Sequence, residues 1–117
     1  MKRVSRELER LAMELLTANK KAPKGKYIVE LQAVPNVDYP KSSWRGSVSL
    51  KKKYKVVKNL KEAQRACRKY IEDNDLGGGN WTGGNIYNDE GDIVGYISYN
   101  GRAWESYDFP SKSISEL

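Results

Sequence analysis

The segment of this 117-residue chain with the most residue types suited to ligand chemistry is residues 75–85, DLGGGNWTGGN. Five of the ten glycines fall within residues 77–84. The polar and aromatic residues interleaved with them are Asn80, Trp81, Thr82 and Asn85. Glycine lets a ligand approach the backbone, asparagine offers donors and acceptors, and tryptophan offers a flat stacking face. The segment therefore predicts contacts to a planar polar group such as a nucleobase. The structural alternative is a helix cap at Gly77 followed by close backbone packing.

This segment differs from the glycine-rich loops that hold phosphate. In dinucleotide-binding folds the glycines lie between a strand and a helix N-terminus, whereas here a predicted helix precedes them. Residues 76–79 then follow the negative end of the helix dipole, which repels phosphate. The sequence also contains no Gly-Lys-Ser or Gly-Lys-Thr, so a P-loop is excluded.

Candidate phosphate contacts come from the basic stretch that follows Trp44. Residues 39–61 contain no Asp or Glu. If residues 44–57 are extended, the even-numbered side chains, among them Trp44, Tyr54 and Val56, form a buried face. The odd-numbered side chains share the other face, where Arg45, Lys53 and Lys55 form a basic stripe that attracts phosphate. The alternative is a solvated strand face without a partner.

A second candidate anion contact is Arg102, the only basic residue between Lys69 and Lys112. A two-residue turn at Asn100-Gly101 places Arg102 opposite Tyr99. Either the two side chains form a cation–π contact, or both flank a ligand pocket with Arg102 holding an anion. Two further tyrosines, Tyr96 and Tyr107, are candidate stacking residues or oligomer contacts.

Composition removes many kinds of chemistry. The chain has no histidine and a single cysteine, Cys67, so it cannot form an intrachain disulfide, a His-containing zinc site or a histidine general base. The acidic turn over residues 88–92 lacks the ligand spacing of a calcium loop. We expect a non-enzymatic protein with no catalytic residue, metal or cofactor, and carboxylate-only catalysis is the one chemistry left open.

The charges are distributed unevenly along the chain. Residues 1–70 carry 19 Lys and Arg against 6 Asp and Glu, whereas residues 71–117 carry 2 against 9. This bipolarity favours a basic face that recruits anions and head-to-tail assembly into a homo-oligomer. No stretch approaches the ~20 apolar residues of a membrane span. The glutamates of the N-terminal segment argue against a signal peptide, so we expect a cytoplasmic protein without membrane contact.

Hydrophobic periodicity and turn signals predict seven elements. They are a helix over 5–19, strands over 27–34 and 44–57, a helix over 60–74 and three strands over about 84–87, 93–99 and 102–107. The second strand can also be divided into two by a hairpin turn at Lys51–Lys53. The last three strands form a meander in which Ile86 pairs with Ile93 and Ile97 with Trp104.

The predicted fold is a single α+β domain over residues 1–117, with a polar tail over about 108–117. Its order is α-β-β-α-β-β-β, with two helices packed on an antiparallel sheet of about five strands.

The stretch over residues 58–105, KNLKEAQRACRKYIEDNDLGGGNWTGGNIYNDEGDIVGYISYNGRAWE, resembles small proteins encoded by phages and mobile elements. The size and α+β layout of the chain are also similar to those of the Thoeris anti-defence sponges. This resemblance implies a homo-oligomer that sequesters a cyclic-nucleotide-type immune signal without cleaving it, and it assigns no binding residue.

The first functional hypothesis is therefore the sequestration of an anionic, nucleotide-like small molecule. Asn80 and Trp81 would contact the base, and Arg102 with the basic stripe would hold phosphate. Two alternatives remain: sequence-tolerant binding of nucleic acid along the basic face, and a protein–protein inhibitor or assembly factor.

Overall fold

The structure is a computed structural model that describes residues 19–108 and 110–117. Five strands form one antiparallel sheet in the order β2-β1-β3-β4-β5. The strands are β1 (Tyr27–Ala33), β2 (Leu50–Val57), β3 (Asn85–Tyr87), β4 (Ile93–Ile97) and β5 (Ala103–Trp104). The helices are α1 (Trp44–Ser47), α2 (Leu60–Asp73) and a 3-10 turn at Gly78–Asn80. The predicted α+β class is confirmed. Residues 5–18 of the predicted first helix lie outside the described residues.

Helix α2 forms where its local signals predict it. Asn59 caps its start, since the side-chain oxygen accepts a hydrogen bond from the Glu62 backbone N–H at 2.9 Å. The residues that α2 buries are Leu60, Ala63, Ala66, Cys67, Tyr70 and Ile71. Cys67 lies fully inside this face, and burial raises the pKa of its thiol to about 12. The thiol is therefore a small packing group, as predicted.

The sheet has two faces with different coverings. Val29 and Leu31 of β1 belong to the core cluster that α2 covers, and we call this the helix face. Ile28 lies on the opposite face with Tyr87, and we call this the far face. Because side chains alternate along a strand, every residue paired with Val29 or Leu31 shares the helix face.

The predicted strand over 44–57 begins only at Leu50. Residues Trp44–Ser47 instead form one helical turn, in which Ser43 Oγ accepts a hydrogen bond from the Gly46 N–H at 3.1 Å. A Cβ atom on Gly46 would lie 2.0 Å from the Pro40 carbonyl oxygen, so this turn packs against the preceding loop. The hairpin alternative is also wrong, because β2 continues through Lys51–Lys53 as one strand.

From Lys53 onward, the two sides of β2 are reversed relative to the prediction. Lys53 pairs with Leu31 and Lys55 pairs with Val29, so both lysines lie on the helix face. Tyr54 and Val56, predicted for the main core, pack instead on the far face. β2 is the edge strand, and its lysines extend past the margin of the helix-face core.

The C-terminal meander forms, but its register differs by one residue. Tyr96 pairs with Trp104 and Ile97 with Ala103, so Trp104 lies on the far face and Ala103 is buried in the core. The cause is the loop: the Ser98 N–H donates to the Arg102 carbonyl, which leaves a three-residue connection.

Both hairpins use the same type of loop. Gly91 and Gly101 have φ of +85° and +86° and each ends a turn of the type I plus left-handed glycine class. In the first hairpin this loop pairs Ile93 with Tyr87 and not with the predicted Ile86. A glycine at the last loop position therefore sets both registers.

The predicted polar tail packs against the sheet. Its backbone continues the pairing beyond β5, because the Ile114 N–H donates to the Ala103 carbonyl at 3.0 Å and the Glu105 N–H donates to the Lys112 carbonyl at 2.8 Å. The Ile114 side chain packs against the core cluster.

Candidate functional site

Asn80 is a structural residue in this fold. Its side chain is 0% exposed, and its Nδ2 donates to the backbone carbonyls of Val34 at 2.8 Å and Arg45 at 2.7 Å. Its Oδ1 accepts from the Gly77 N–H at 2.9 Å. Both donors are used within the chain, so the predicted base contact by Asn80 has no support in this geometry.

Trp81 belongs to the core. It is 7% exposed, its Nε1 donates to the Ile97 carbonyl at 3.0 Å, and its ring centroid lies 5.9 Å from that of Tyr70. A Cβ atom on Gly83 would lie 2.5 Å from the Glu30 carbonyl oxygen, so that glycine serves close packing. The glycine-rich segment thus joins α2 to β3 as a packed connection.

The predicted partnership between Arg102 and Tyr99 is wrong. The guanidinium over the Tyr99 ring is that of Arg68 on α2, at 5.5 Å from the centroid, and the Tyr99 hydroxyl donates to the Leu76 carbonyl at 3.2 Å. Arg102 is exposed, and its side chain has no ion pair among the described residues. The three-residue loop removes Arg102 from its predicted position opposite Tyr99.

Thr82 and Asn85 do line an open site on the far face, which we call the aromatic cleft. It has a volume of about 250 Å³ and is lined by Trp81, Thr82, Gly83, Asn85, Tyr96 and Tyr107. The tyrosine rings meet at 83° with centroids 5.3 Å apart. Tyr96 and Tyr107 thus line an open cleft, and their candidate role in stacking on a ligand stays a prediction.

The sheet separates the predicted base contacts from the predicted phosphate contacts. Asn85 pairs with Tyr96 on the far face, whereas Lys53 and Lys55 lie on the helix face. One copy of the chain therefore does not bring these residues into a single pocket.

Arg45, the third predicted phosphate contact, is engaged at the C-terminal end of α2. Its guanidinium forms an ion pair with Asp75 at 3.2 Å and lies 5.9 Å from the centroid of the Tyr39 ring. Side-chain hydrogen bonding to Tyr39, and then to Asp75, raises the pKa of Arg45 above its ordinary value. Arg45 thus fastens α1 to the end of α2.

A basic cleft lies where β2 meets the C-terminal half of α2. It has a volume of about 240 Å³ and is lined by Leu50, Lys51, Lys53, Tyr70 and Asn74. Lys53 Nζ lies 5.5 Å from the centroid of the Tyr70 ring. Residue Tyr70 is 7% exposed, and its buried hydroxyl has no hydrogen-bond partner among residues 19–108 and 110–117. Desolvation raises the pKa of this hydroxyl, so it remains a proton donor.

Trp44 adjoins the basic cleft and was missed as a site residue. Its Nε1 donates to the carbonyl of Asn74 at 2.6 Å, and half of the residue (50%) remains exposed. In the predicted strand over residues 44–57, Trp44 would lie on the buried face. The signal that could have corrected this is Ser43, a favoured helix cap directly before it.

Three lysines of β2 carry unbalanced charge. Lys53 and Lys55 lie on the helix face, and Lys51, beyond a shift in the β1–β2 register, lines the basic cleft with Lys53. Among residues 19–108 and 110–117, none of the three forms an ion pair, whereas Lys52 on the far face pairs with Glu30 at 3.6 Å. The row is therefore available to an external anion.

Within the described ranges, no group of three or more His, Cys, Asp or Glu side chains is positioned to hold a metal ion. No helix of those ranges is long and apolar enough to cross a membrane. Comparisons with protein-family models, curated proteins and solved structures found no match.

Proposed function

We propose that the protein binds an anionic, base-containing ligand without converting it. The basic cleft holds a phosphate of the ligand, and the exposed ring of Trp44 stacks on the base. The observation that carries this proposal is the pair of lysines, Lys51 and Lys53, beside a buried Tyr70 hydroxyl that has no hydrogen-bond partner in the part of the chain that the structure describes.

An anion in the basic cleft would improve the hydrogen bonding of the site. A buried donor without an acceptor is unfavourable by about 1–3 kcal/mol, and a phosphate oxygen is a strong acceptor. In the proposed complex, Lys53 turns from the Tyr70 ring toward the phosphate, and the Tyr70 hydroxyl donates to a phosphate oxygen. Lys51 neutralises further charge from the neighbouring position on β2.

The ligand class to test first is the one implied by the resemblance to the sponge proteins. Cyclic-nucleotide-type immune signals carry both a base and phosphate. The proposed function is then their sequestration by a cytoplasmic homo-oligomer as an anti-defence activity.

A thermal-shift screen tests this proposal. The wild-type protein is heated with a cyclic dinucleotide, a cyclic trinucleotide and an ADP-ribose derivative. A ligand present at about 100 times its Kd stabilises the folded state by about 2.7 kcal/mol, so Tm rises. Lys53→Gln is expected to remove most of the rise. Lys112→Gln removes the same charge elsewhere and is expected to leave it intact. The proposal fails if no nucleotide raises Tm, or if both variants respond equally.

A second candidate function is sequence-tolerant binding of nucleic acid, favoured by the row formed by Lys51, Lys53 and Lys55. Such binding depends steeply on salt, with a slope of about −0.7 per phosphate contact for a single strand. A labelled oligonucleotide is therefore titrated between about 50 and 200 mM salt. If the row is the interface, Lys55→Gln is expected to make the salt slope less steep by about 0.7, the value for one phosphate contact. An unchanged slope argues against this function.

A further inference from the structure

The far face carries a second cavity beside the aromatic cleft, and we call it the aromatic cage. It has a volume of about 200 Å³ and is lined by Tyr96, Trp104, Ser106, Tyr107, Asp108 and Ser111. Tyr96 and Tyr107 stand nearly perpendicular, at 83°. The Trp104 indole is held in place because its Nε1 donates to Ser98 Oγ at 3.2 Å. Three aromatic side chains and one carboxylate thus surround a small space.

The charges around the aromatic cage favour a cation. Of the described residues, Asp108 is the only charged one that lines the cage, and it forms no ion pair with any of them. The nearest cations along the chain are Arg102, two residues before Trp104, and Lys112, next to the lining residue Ser111. Neither lies over an aromatic ring within the described ranges. Among those residues, no cation of the chain therefore lies against the aromatic rings of the cage.

We propose that the aromatic cage binds a small compound with a methylated ammonium group. Aromatic faces carry partial negative charge and attract a cation within about 6 Å of the ring centroid. The methyl groups would contact the rings of Tyr96, Trp104 and Tyr107, and Asp108 would balance the charge. The same ring faces and carboxylate repel phosphate, so this ligand differs in chemical class from that of the basic cleft.

This site is independent of the proposed function. Tyr96 and Trp104 form a pair on the far face, whereas Lys53 of the basic cleft lies on the helix face. Failure of either proposal therefore leaves the other intact.

The test compares choline with 3,3-dimethylbutan-1-ol, which has the same shape without the charge. Each is titrated into the wild-type protein while NMR follows the side-chain signals of Trp104 and Tyr96. Choline is expected to give saturable shifts and to bind roughly 3- to 30-fold more tightly than the neutral compound.

Two exposed positions provide variants that preserve the fold. Tyr107 is 73% exposed, so Tyr107→Ala is expected to fold normally and to weaken choline binding by roughly 3- to 30-fold. Asp108→Asn removes only the charge and is expected to weaken it as well. Tyr39→Ala, at an exposed tyrosine of the loop before α1, is the control and is expected to change nothing.

Several results overturn the proposal. Equal binding of choline and the neutral compound shows an apolar pocket without cation preference. Choline binding that survives both Tyr107→Ala and Asp108→Asn places the cation elsewhere. Absence of saturable choline binding, including the case in which only phosphatidylcholine vesicles bind, rejects a site for small ammonium compounds.

Discussion

At the residue scale, Asn80 connects three parts of the chain through one side chain. Asn80→Ala removes the hydrogen-bond partners of the Gly77 N–H and the Val34 carbonyl, whereas the Arg45 carbonyl keeps its bond from the Asn36 N–H. We expect the free energy of unfolding, measured with urea, to fall by about 2–5 kcal/mol. Thr82→Ala, at an exposed neighbour, is the control and should change it by less than about 0.5 kcal/mol. Equal effects of the two substitutions would contradict the structural role of Asn80.

Tyr70→Phe separates stability from binding. The substitution removes a buried hydroxyl that has no hydrogen-bond partner among the described residues, so the free energy of unfolding of the ligand-free protein is expected to stay constant or rise by about 1 kcal/mol. Ligand-induced stabilisation is expected to fall, because the proposed phosphate contact is lost. The measurement is urea unfolding with and without the ligand found in the thermal-shift screen. A less stable variant with unchanged binding would show that the hydroxyl has an internal partner.

Single residues were the hardest feature to predict from the sequence. Donors and acceptors beside glycine suit a ligand and suit backbone carbonyls equally well. The carbonyls that Asn80 contacts are 46 and 35 residues away in the chain, so no local pattern indicates them. Trp81 shows the same ambiguity, since a core position and a stacking position need the same side chain.

At the element scale, the connection from α2 to β3 depends on close backbone contact. Gly84 has φ of +107°, and a Cβ atom there would lie 2.2 Å from the Ile97 carbonyl oxygen. Gly25 has φ of +76° with nothing within 4 Å, so Gly25→Ala tests the conformation alone. We expect Gly25→Ala to destabilise the protein by about 1–2 kcal/mol in urea unfolding. Gly84→Ala should destabilise it by at least about 2 kcal/mol more, because the β3–β4 contact must also open. Equal losses would mean that the contact relaxes easily.

Elements with local signals were predictable, and those set by distant contacts were not. The cap and apolar stripe of α2 lie within its own sequence, and its predicted limits are confirmed. Helix α1 depends on the contact of Gly46 with Pro40 and on the hydrogen bond from Trp44 to Asn74. The alternation of apolar and polar residues over 44–57 gives no indication of either contact. In the second hairpin, Asn-Gly fits both a two-residue and a three-residue loop, and that choice moves the register by one residue.

At the scale of the whole molecule, the buried thiol of Cys67 and hydroxyl of Tyr87 predict that the protein loses stability at alkaline pH. Burial raises the pKa of the Cys67 thiol from 9.0 to about 12. The pKa of the Tyr87 hydroxyl rises from 10.0 to about 12, mainly because the group is buried and secondly because of the nearby charge of Glu30. The folded state therefore holds these protons more tightly than the unfolded state, and their contribution is complete below about pH 9. We expect the free energy of unfolding to fall as pH rises from about 9 to 12.

The alkaline effect is measured by urea unfolding at about pH 8 and pH 11. Cys67→Ala removes one of the two groups, so the difference between the two pH values is expected to shrink in that variant. A difference of the same size in both proteins would assign the effect to other residues.

Two charged regions of the molecule lie on opposite faces of one sheet: Lys53 and Lys55 of β2 on the helix face, and the aromatic cage with Asp108 on the far face. The uneven distribution of charge along the chain was evident from the sequence. The face of the sheet on which these charges lie was not evident from the sequence, because the pairing of β2 with β1 decides which side chains of β2 face α2. The basic cleft at the edge of the helix face is the anion site that we propose.

The most direct test is an amide NMR titration with pyrophosphate, which needs no knowledge of the natural ligand. We expect saturable shifts clustered at Lys51, Lys53, Tyr70 and Asn74, lost in Lys53→Gln and retained in Lys112→Gln. Shifts spread evenly over all exposed lysines, or no saturable shifts, would contradict it.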